Sequence, residues 1–98
     1  MSDLEFEWDK RKAASNLRKH GVSFENAKTV FLDDNALLIA DPDSSDDDDR
    51  FILFGLSSEI HLLVVCHCYR SDDQIIQIIS ARKANKSEQQ QYSQRWRP

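Results

Sequence analysis

The chain opens on an alternating stretch, Leu4-Glu5-Phe6-Glu7-Trp8, in which apolar and acidic residues exchange places at each step. That is the pattern of a short, half-buried strand at a sheet edge. The period then changes. Asp9 is suited to cap a helix from Lys10 to His20, stopped by Gly21, which can take the left-handed conformation that closes a helix. Its apolar stripe is narrow (Ala13, Ala14, Leu17), and Lys10, Arg11, Lys12, Arg18 and Lys19 crowd the remaining surface. Ser23 can cap a second helix in which Phe24, Ala27, Val30 and Phe31 recur at helical spacing. The short Gly21-Val22-Ser23 joint makes the pair a hairpin or a sharp corner.

The pattern is then β. Ala36–Ala40, Arg50–Leu56, His61–Arg70 and Gln74–Ser80 are rich in β-branched and aromatic residues. The turns between the last three are short, which favours an antiparallel meander. Beyond Arg82, Asn85 with Glu88 makes a capping box, with Ser87 and Gln90 as an alternative start, for a helix through about Trp96. Tyr92 and Trp96 fall one turn apart on it and serve either to dock the helix or to stack bases. The expected fold is α+β over a single domain, residues 1–98. It has two N-terminal helices, a four-stranded antiparallel meander with an optional N-terminal edge strand, and a C-terminal helix, with helices on one face of the sheet.

Composition adds two points. At 98 residues, with 40% hydrophobic content and only two glycines and two prolines, the chain can build one small core and is not low-complexity. Its formal charge of −4 argues against a nucleic-acid partner until the acids are located. Six of the seventeen lie within residues 41–49: Asp41, Asp43, Asp46, Asp47, Asp48 and Asp49. The remainder of the chain is weakly basic, with thirteen basic against eleven acidic residues. The acidic loop is not an EF-hand, since position six is Asp46 rather than Gly and position twelve is Ile52 rather than Glu. It reads as a solvated hairpin loop or a docking site for a basic partner segment.

Cys66 and Cys68 lack a second cysteine or histidine pair for a zinc site, and as i, i+2 neighbours in a strand would form a strained disulfide. They read as reduced thiols in a cytoplasmic protein. No apolar run suggests a signal peptide or a membrane span.

The residues suited to chemistry are cationic. Arg50 opens one strand, Arg70 closes the next, and Arg82 lies just beyond the last. Ends of neighbouring strands can meet in a meander, so these arginines, beside the basic helix ending in Lys19-His20, would form a phosphate site or else pair with nearby acids. Arg82 is expected on the face of Ile78 and Ser80, and Arg70 on that of Cys66 and Cys68. His61 and His67 read as structural, with His67 turned away from its flanking cysteines. His20, at a helix C-terminus, is a cap or a proton donor. RNA cleavage through 2′-hydroxyl attack needs an acid, a base and cationic donors around the phosphorane, which such a set can supply.

Read together, FEWDKRKAASNLRKHGVSFENAKTVF (6–31), DP…S…DDR (41–50), LLVV…R (62–70), IISARKA (78–84), Glu88 and Tyr92 resemble the BrnT toxin family. The resemblance implies a RelE-like α+β fold and a metal-independent ribonuclease toxin of a type II toxin–antitoxin system that halts translation, with no cofactor. It implies an antitoxin partner of the BrnA type with a ribbon-helix-helix domain, RNA as substrate, and contact with operator DNA only through the antitoxin, in a dimer or heterotetramer. Lys19, His20, Arg50, Arg70, Arg82 and Tyr92 fall on the family's recurring polar positions. Arg50, Arg70, Arg82, Lys19 and His20 are the expected catalytic set, with Lys12, Arg18, Lys83 and Tyr92 as RNA-binding residues. Two departures stand out. Ser44-Ser45 replaces a common His-Ser pair, and Gln77 replaces a common arginine in the last strand. They leave as the alternative a catalytically weakened homologue retained as antitoxin partner and co-repressor; a metal-dependent module using the Asp loop or the cysteine pair is a separate, third reading.

Overall fold

Each α-helix begins on a local signal. In the computed structural model, which describes residues 4–41, 50–72 and 74–94, Asp9 accepts the Arg11 and Lys12 N–H groups at 2.7 and 3.3 Å and starts α1 (Lys10–His20). Gly21 closes it with φ 70°, its N–H reaching the Leu17 carbonyl. Ser23 caps α2 (Phe24–Lys28) by accepting the Asn26 N–H at 3.0 Å. The helical spacing of Phe24 to Phe31 continues, but Thr29–Leu32 tightens to a 3₁₀ turn. There the Thr29 hydroxyl donates to the Asn26 carbonyl at 2.6 Å, and Val30 presses on the sheet at Gly55, where an added Cβ would lie 2.6 Å from Val30 Cγ1. The capping box predicted for the last helix, α3 (Lys86–Gln94), is reciprocal: Asn85 and Glu88 each accept the other's N–H at 2.8 Å. Trp96 lies outside the described residues.

Among the described residues, five strands make one sheet in the order β1-β5-β4-β3-β2, from β1 (Glu5–Glu7), β2 (Leu37–Ala40), β3 (Phe51–Leu56), β4 (Leu62–Arg70) and β5 (Ile75–Lys83). The last four form the antiparallel meander, and β1 joins as an edge strand parallel to β5. β5 runs three residues further than its sequence suggests, so Arg82 lies inside it. A bulge between Cys66 and His67 pairs Cys66 with Ser80 but His67 with Ile78, leaving Ile79 as an extra residue. Consequently Ile78 and Arg82 point to opposite faces, not to one.

The first face carries α1 and α2. Val22, Phe24, Ala27 and Val30 pack on Leu53, Leu63, Val65, Ile78 and Ala81 in the main core. The stripe of α1 is rotated from its expected position: Ala14 and Leu17 are exposed, and Asn16 is buried. The Asn16 amide donates to the carbonyls of Ala81 and Val22 at 2.8 and 2.9 Å and accepts the Ala81 N–H at 3.1 Å. β1 pairs with β5 only as far as Gln77, so Asn16 takes the place of a neighbouring strand for the free edge at Ala81. The outer face has a smaller cluster, Phe54, Val64 and Ala84 with Leu37, Ile52 and Leu62. Contrary to the expectation of helices on one face, α3 does not join the α1/α2 layer. It lies at the end of the sheet, where Tyr92 lines a cleft with Leu56, Leu62 and Ala84 and its hydroxyl donates to Asp33 at 2.6 Å.

Candidate functional site

The outer face gathers the polar groups that the core excludes. Alternation along the strands turns Asp41, Arg50, Cys66, Cys68, Arg70, Gln77, Ser80 and Arg82 to this side. The centre is built from three strands. Asp41 donates its backbone N–H to the Arg50 carbonyl at 2.9 Å, continuing the β2–β3 ladder, and the Cys66 thiol donates to Asp41 Oδ2 at 3.8 Å. Burial pushes the Cys66 thiol up, the Asp41 charge adds to this, and the Arg50 guanidinium opposes it. That thiol is therefore a neutral donor rather than a nucleophile.

Arg70 and Arg82 are each held by side-chain partners. Arg70 Nη1 donates to Gln77 Oε1 at 2.9 Å and lies 3.9 Å from Glu7 on β1. The same Gln77 oxygen accepts the Cys68 thiol at 3.4 Å, so the residue standing where the resemblance leads one to expect an arginine holds Arg70 instead. Arg82 makes a two-bond ion pair with Glu88 at 2.7 and 2.8 Å. That pair pushes the Arg82 guanidinium up and holds the Glu88 carboxyl below the usual carboxylate range.

The three arginines do not meet at one point. In adjacent antiparallel strands the start of β3 lies beside the end of β4, which brings Arg50 and Arg70 together at one end of the face. The end of β5 lies beside the start of β4, and Arg82 pairs with Val64, six residues from Arg70 along β4. That separation is about 20 Å at strand rise. Two positive ends therefore flank a middle of Cys66, Cys68, Ser80 and Ile52.

Lys12, Arg18, Lys19 and His20 project from α1, beside the β5 edge, and are exposed. The basic last turn, Arg18-Lys19-His20, suits the negative end of the helix dipole. Among the described residues, neither Lys19 nor His20 shares a hydrogen bond or ion pair with the outer-face arginines. Lys83 lines the cleft of about 450 Å³ beside α3, together with His61 and Tyr92. Tyr92 is 8% exposed and its hydroxyl is tied to Asp33, so most of the side chain serves to dock α3. His67 is fully buried on the first face, as its position between the cysteines predicts. Its Nδ1 donates to the Val65 carbonyl and its Nε2 accepts from the Tyr69 hydroxyl, both at 3.2 Å, and burial lowers its pKa. Ser44, Ser45 and the aspartates after Asp43 lie outside the described residues, as does Asp43 itself. Sequence reasoning placed Cys66 with Arg70 and Ser80 with Arg82 but missed Asp41 and Glu88 as members of this face; only Glu88 carried a signal, and that signal was a helix cap.

No group of three His, Cys, Asp or Glu side chains that could hold a metal ion occurs among the described residues. None of their helices is long and apolar enough to cross a membrane. Comparison with curated proteins finds no match to the sequence. In fold the chain is similar to the crystal structure of the Brucella abortus ribonuclease toxin BrnT, with a TM-score of 0.63, at 21% identity over 86% of this chain and 100% of that one. The family model described as "Ribonuclease toxin, BrnT, of type II toxin-antitoxin system" matches residues 8–88. The match runs from Trp8 through α1 and the four-stranded meander to the Glu88 that grips Arg82, and by it the chain belongs to the BrnT family of type II toxin–antitoxin ribonuclease toxins.

Proposed function

We propose that this protein is a metal-independent endoribonuclease of RelE-like fold that inhibits translation in the cytoplasm. Neutralisation would come from a ribbon-helix-helix antitoxin of the BrnA type, and operator DNA would be contacted only through that antitoxin, in a dimeric or heterotetrameric complex. The observation that carries the reading is the family match over residues 8–88. It is supported by the outer face, whose charged ends are guanidinium groups suited to phosphate.

The separation of the arginines shapes the proposal. Arg50 and Arg70 bind one phosphate of the strand and Arg82 another, so a single strand of RNA lies lengthwise across the face. The transition state of 2′-hydroxyl attack carries extra charge on the phosphorane, and an arginine already aimed at it stabilises that charge without reorganisation. Lys19, with Lys12, Arg18 and Lys83, provides further cations for the flanking strand, and His20 adds a hydrogen-bonding ring beside them. Purified protein incubated with RNA in EDTA is expected to cleave it, and an Arg70→Ala, Arg82→Ala double variant is expected to be at least ~100-fold slower. Equal cleavage by the two proteins would remove this site.

A second reading is favoured by one contact. Gln77 supplies an oxygen to Arg70 where the resemblance leads one to expect another cation, so this face has one positive group fewer and one more of its arginines engaged. A weakened homologue kept as antitoxin partner and co-repressor would cause no growth arrest when expressed alone, yet bind the product of the adjacent open reading frame. Arrest relieved by that product supports the first reading.

A further inference from the structure

The carboxylate that holds Arg82 belongs to another element. Glu88 Oε1 and Oε2 accept from Nη1 and Nη2 at 2.7 and 2.8 Å, the parallel geometry that fixes both the plane and the direction of a guanidinium. The same Oε1 accepts the Asn85 N–H at 2.8 Å, so one carboxylate both caps α3 and orients the arginine. The acid is sheltered, with 14% of its side chain exposed, whereas Arg82 keeps 43%. One further Arg82 hydrogen goes to the Lys83 carbonyl at 3.4 Å. Of the five guanidinium hydrogens, the second on Nη2 and that on Nε stay available to a ligand.

We propose that Glu88 is a positioning residue: it aims the two remaining Arg82 N–H groups at a phosphate on the outer face and makes that aim depend on the docking of α3. The helix is docked by two further contacts, Gln89 Nε2 to the Ala84 carbonyl at 3.0 Å and the Tyr92 hydroxyl to Asp33 at 2.6 Å. A partner that lifted α3 would thus disorient Arg82 without touching it. The inference rests on the reading of the outer face as an RNA-binding surface.

The sign of the effect separates this role from simpler ones. Long-range electrostatics says that removing an acid from a nucleic-acid surface strengthens binding. A Glu88 that merely competed with phosphate for Arg82 gives the same sign. Positioning gives the opposite one. Glu88→Gln is suited to the test because glutamine serves the capping box as well as glutamate does, leaving the helix its cap while the charged grip on Arg82 is lost.

The affinity of each protein for a fluorescein-labelled, 2′-O-methyl RNA oligonucleotide, which cannot be cleaved, is measured by anisotropy at fixed salt. Glu88→Gln is expected to bind about 5-fold more weakly than the unmodified protein, the cost of ordering a long side chain on binding. The Glu88→Gln, Arg82→Ala double variant is expected to bind no more weakly than Arg82→Ala alone. Equal or tighter binding by Glu88→Gln, with Arg82→Ala weakened, overturns the inference and leaves the RNA-face reading standing. Arg82→Ala without effect overturns both. Should Glu88→Gln melt below the assay temperature, Arg82→Lys leaves the cap untouched and is expected to show the same loss; full affinity there overturns the inference.

Discussion

Asn16 closes the free edge of β5, and its removal gives the sharpest test of how this fold is held. In Asn16→Ala three polar groups lose their partner: the Ala81 N–H, the Ala81 carbonyl and the Val22 carbonyl. They lie where water does not reach, since Ala81 is 1% and Val22 2% exposed. A buried backbone group left unsatisfied costs about 1–3 kcal/mol, and three of them, partly relieved by relaxation, come to roughly 3–5 kcal/mol. That is a large share of the ~5–15 kcal/mol that holds a small domain. At ~4–8 °C per kcal/mol, the melting temperature should fall by about 15–30 °C. Thermal and urea unfolding followed by circular dichroism measure the change directly. Asn16→Asp refines the test. It keeps the acceptor for Ala81 but sets a carboxylate against two carbonyls, so the carboxyl is favoured in its protonated form and its folded pKa rises. The variant should therefore be most stable below the unfolded value of ~3.9 and lose that stability as pH rises through the folded one. A loss under ~1 kcal/mol in Asn16→Ala would refute the bridging role, because no surface amide deletion costs more.

Further outcomes follow from other contacts. Gly55→Ala places a methyl 2.6 Å from Val30 Cγ1 and 3.0 Å from Ala36 Cβ, and should cost ~1–3 kcal/mol in urea unfolding. Tyr92→Phe removes a hydroxyl bonded to the Asp33 carboxylate and should cost ~1.5–3 kcal/mol; an unchanged melting temperature would mean that this bond adds nothing to the docking of α3. His67 has its folded pKa depressed, so the stability it contributes is present above the unfolded value of 6.5 and is lost as pH falls through the folded one. The slope in that window, at most ~1.4 kcal/mol per pH unit, should be absent in His67→Leu. The Cys66 thiol, pushed above 9.0 by burial and by Asp41, should react with iodoacetamide more slowly at pH 8 than a small free thiol does, and Asp41→Asn should speed it.

Much of the architecture was legible because it is coded locally. Asp9, Gly21, Ser23 and the Asn85–Glu88 box each act within four residues of chain, and each holds the helix end that it signals. The parallel pairing of β1 was not legible, since alternation in Leu4–Trp8 says that a strand exists and not which strand it joins. The arginine geometry failed for a topological reason: strand ends meet only when one strand ends where its neighbour starts, which holds for Arg70 and Arg50 but not for Arg70 and Arg82. Asn16 was passed over because a polar residue in a charged helix reads as surface. Its position one turn from Ala13, on the side that the helix buries, was the available signal.

The bulge on β5 also bears on how the chain can vary. Between the pairs Gln77–Cys68 and Ser80–Cys66, β5 holds one residue more than β4 requires. A chain lacking Ile79 would pair through this region without interruption and still turn Ser80 and Arg82 outward. The present chain, paired one step off so as to erase the bulge, would set Arg82 opposite Leu63 and drive a guanidinium into the main core, at a cost no small domain sustains. The strand thus contains one residue of slack, and the place where the slack is taken up decides which side chains solvent meets. Two chains of unequal length can carry the same outer face, while odd or even position counted along the sequence misassigns every residue on one side of Ile79.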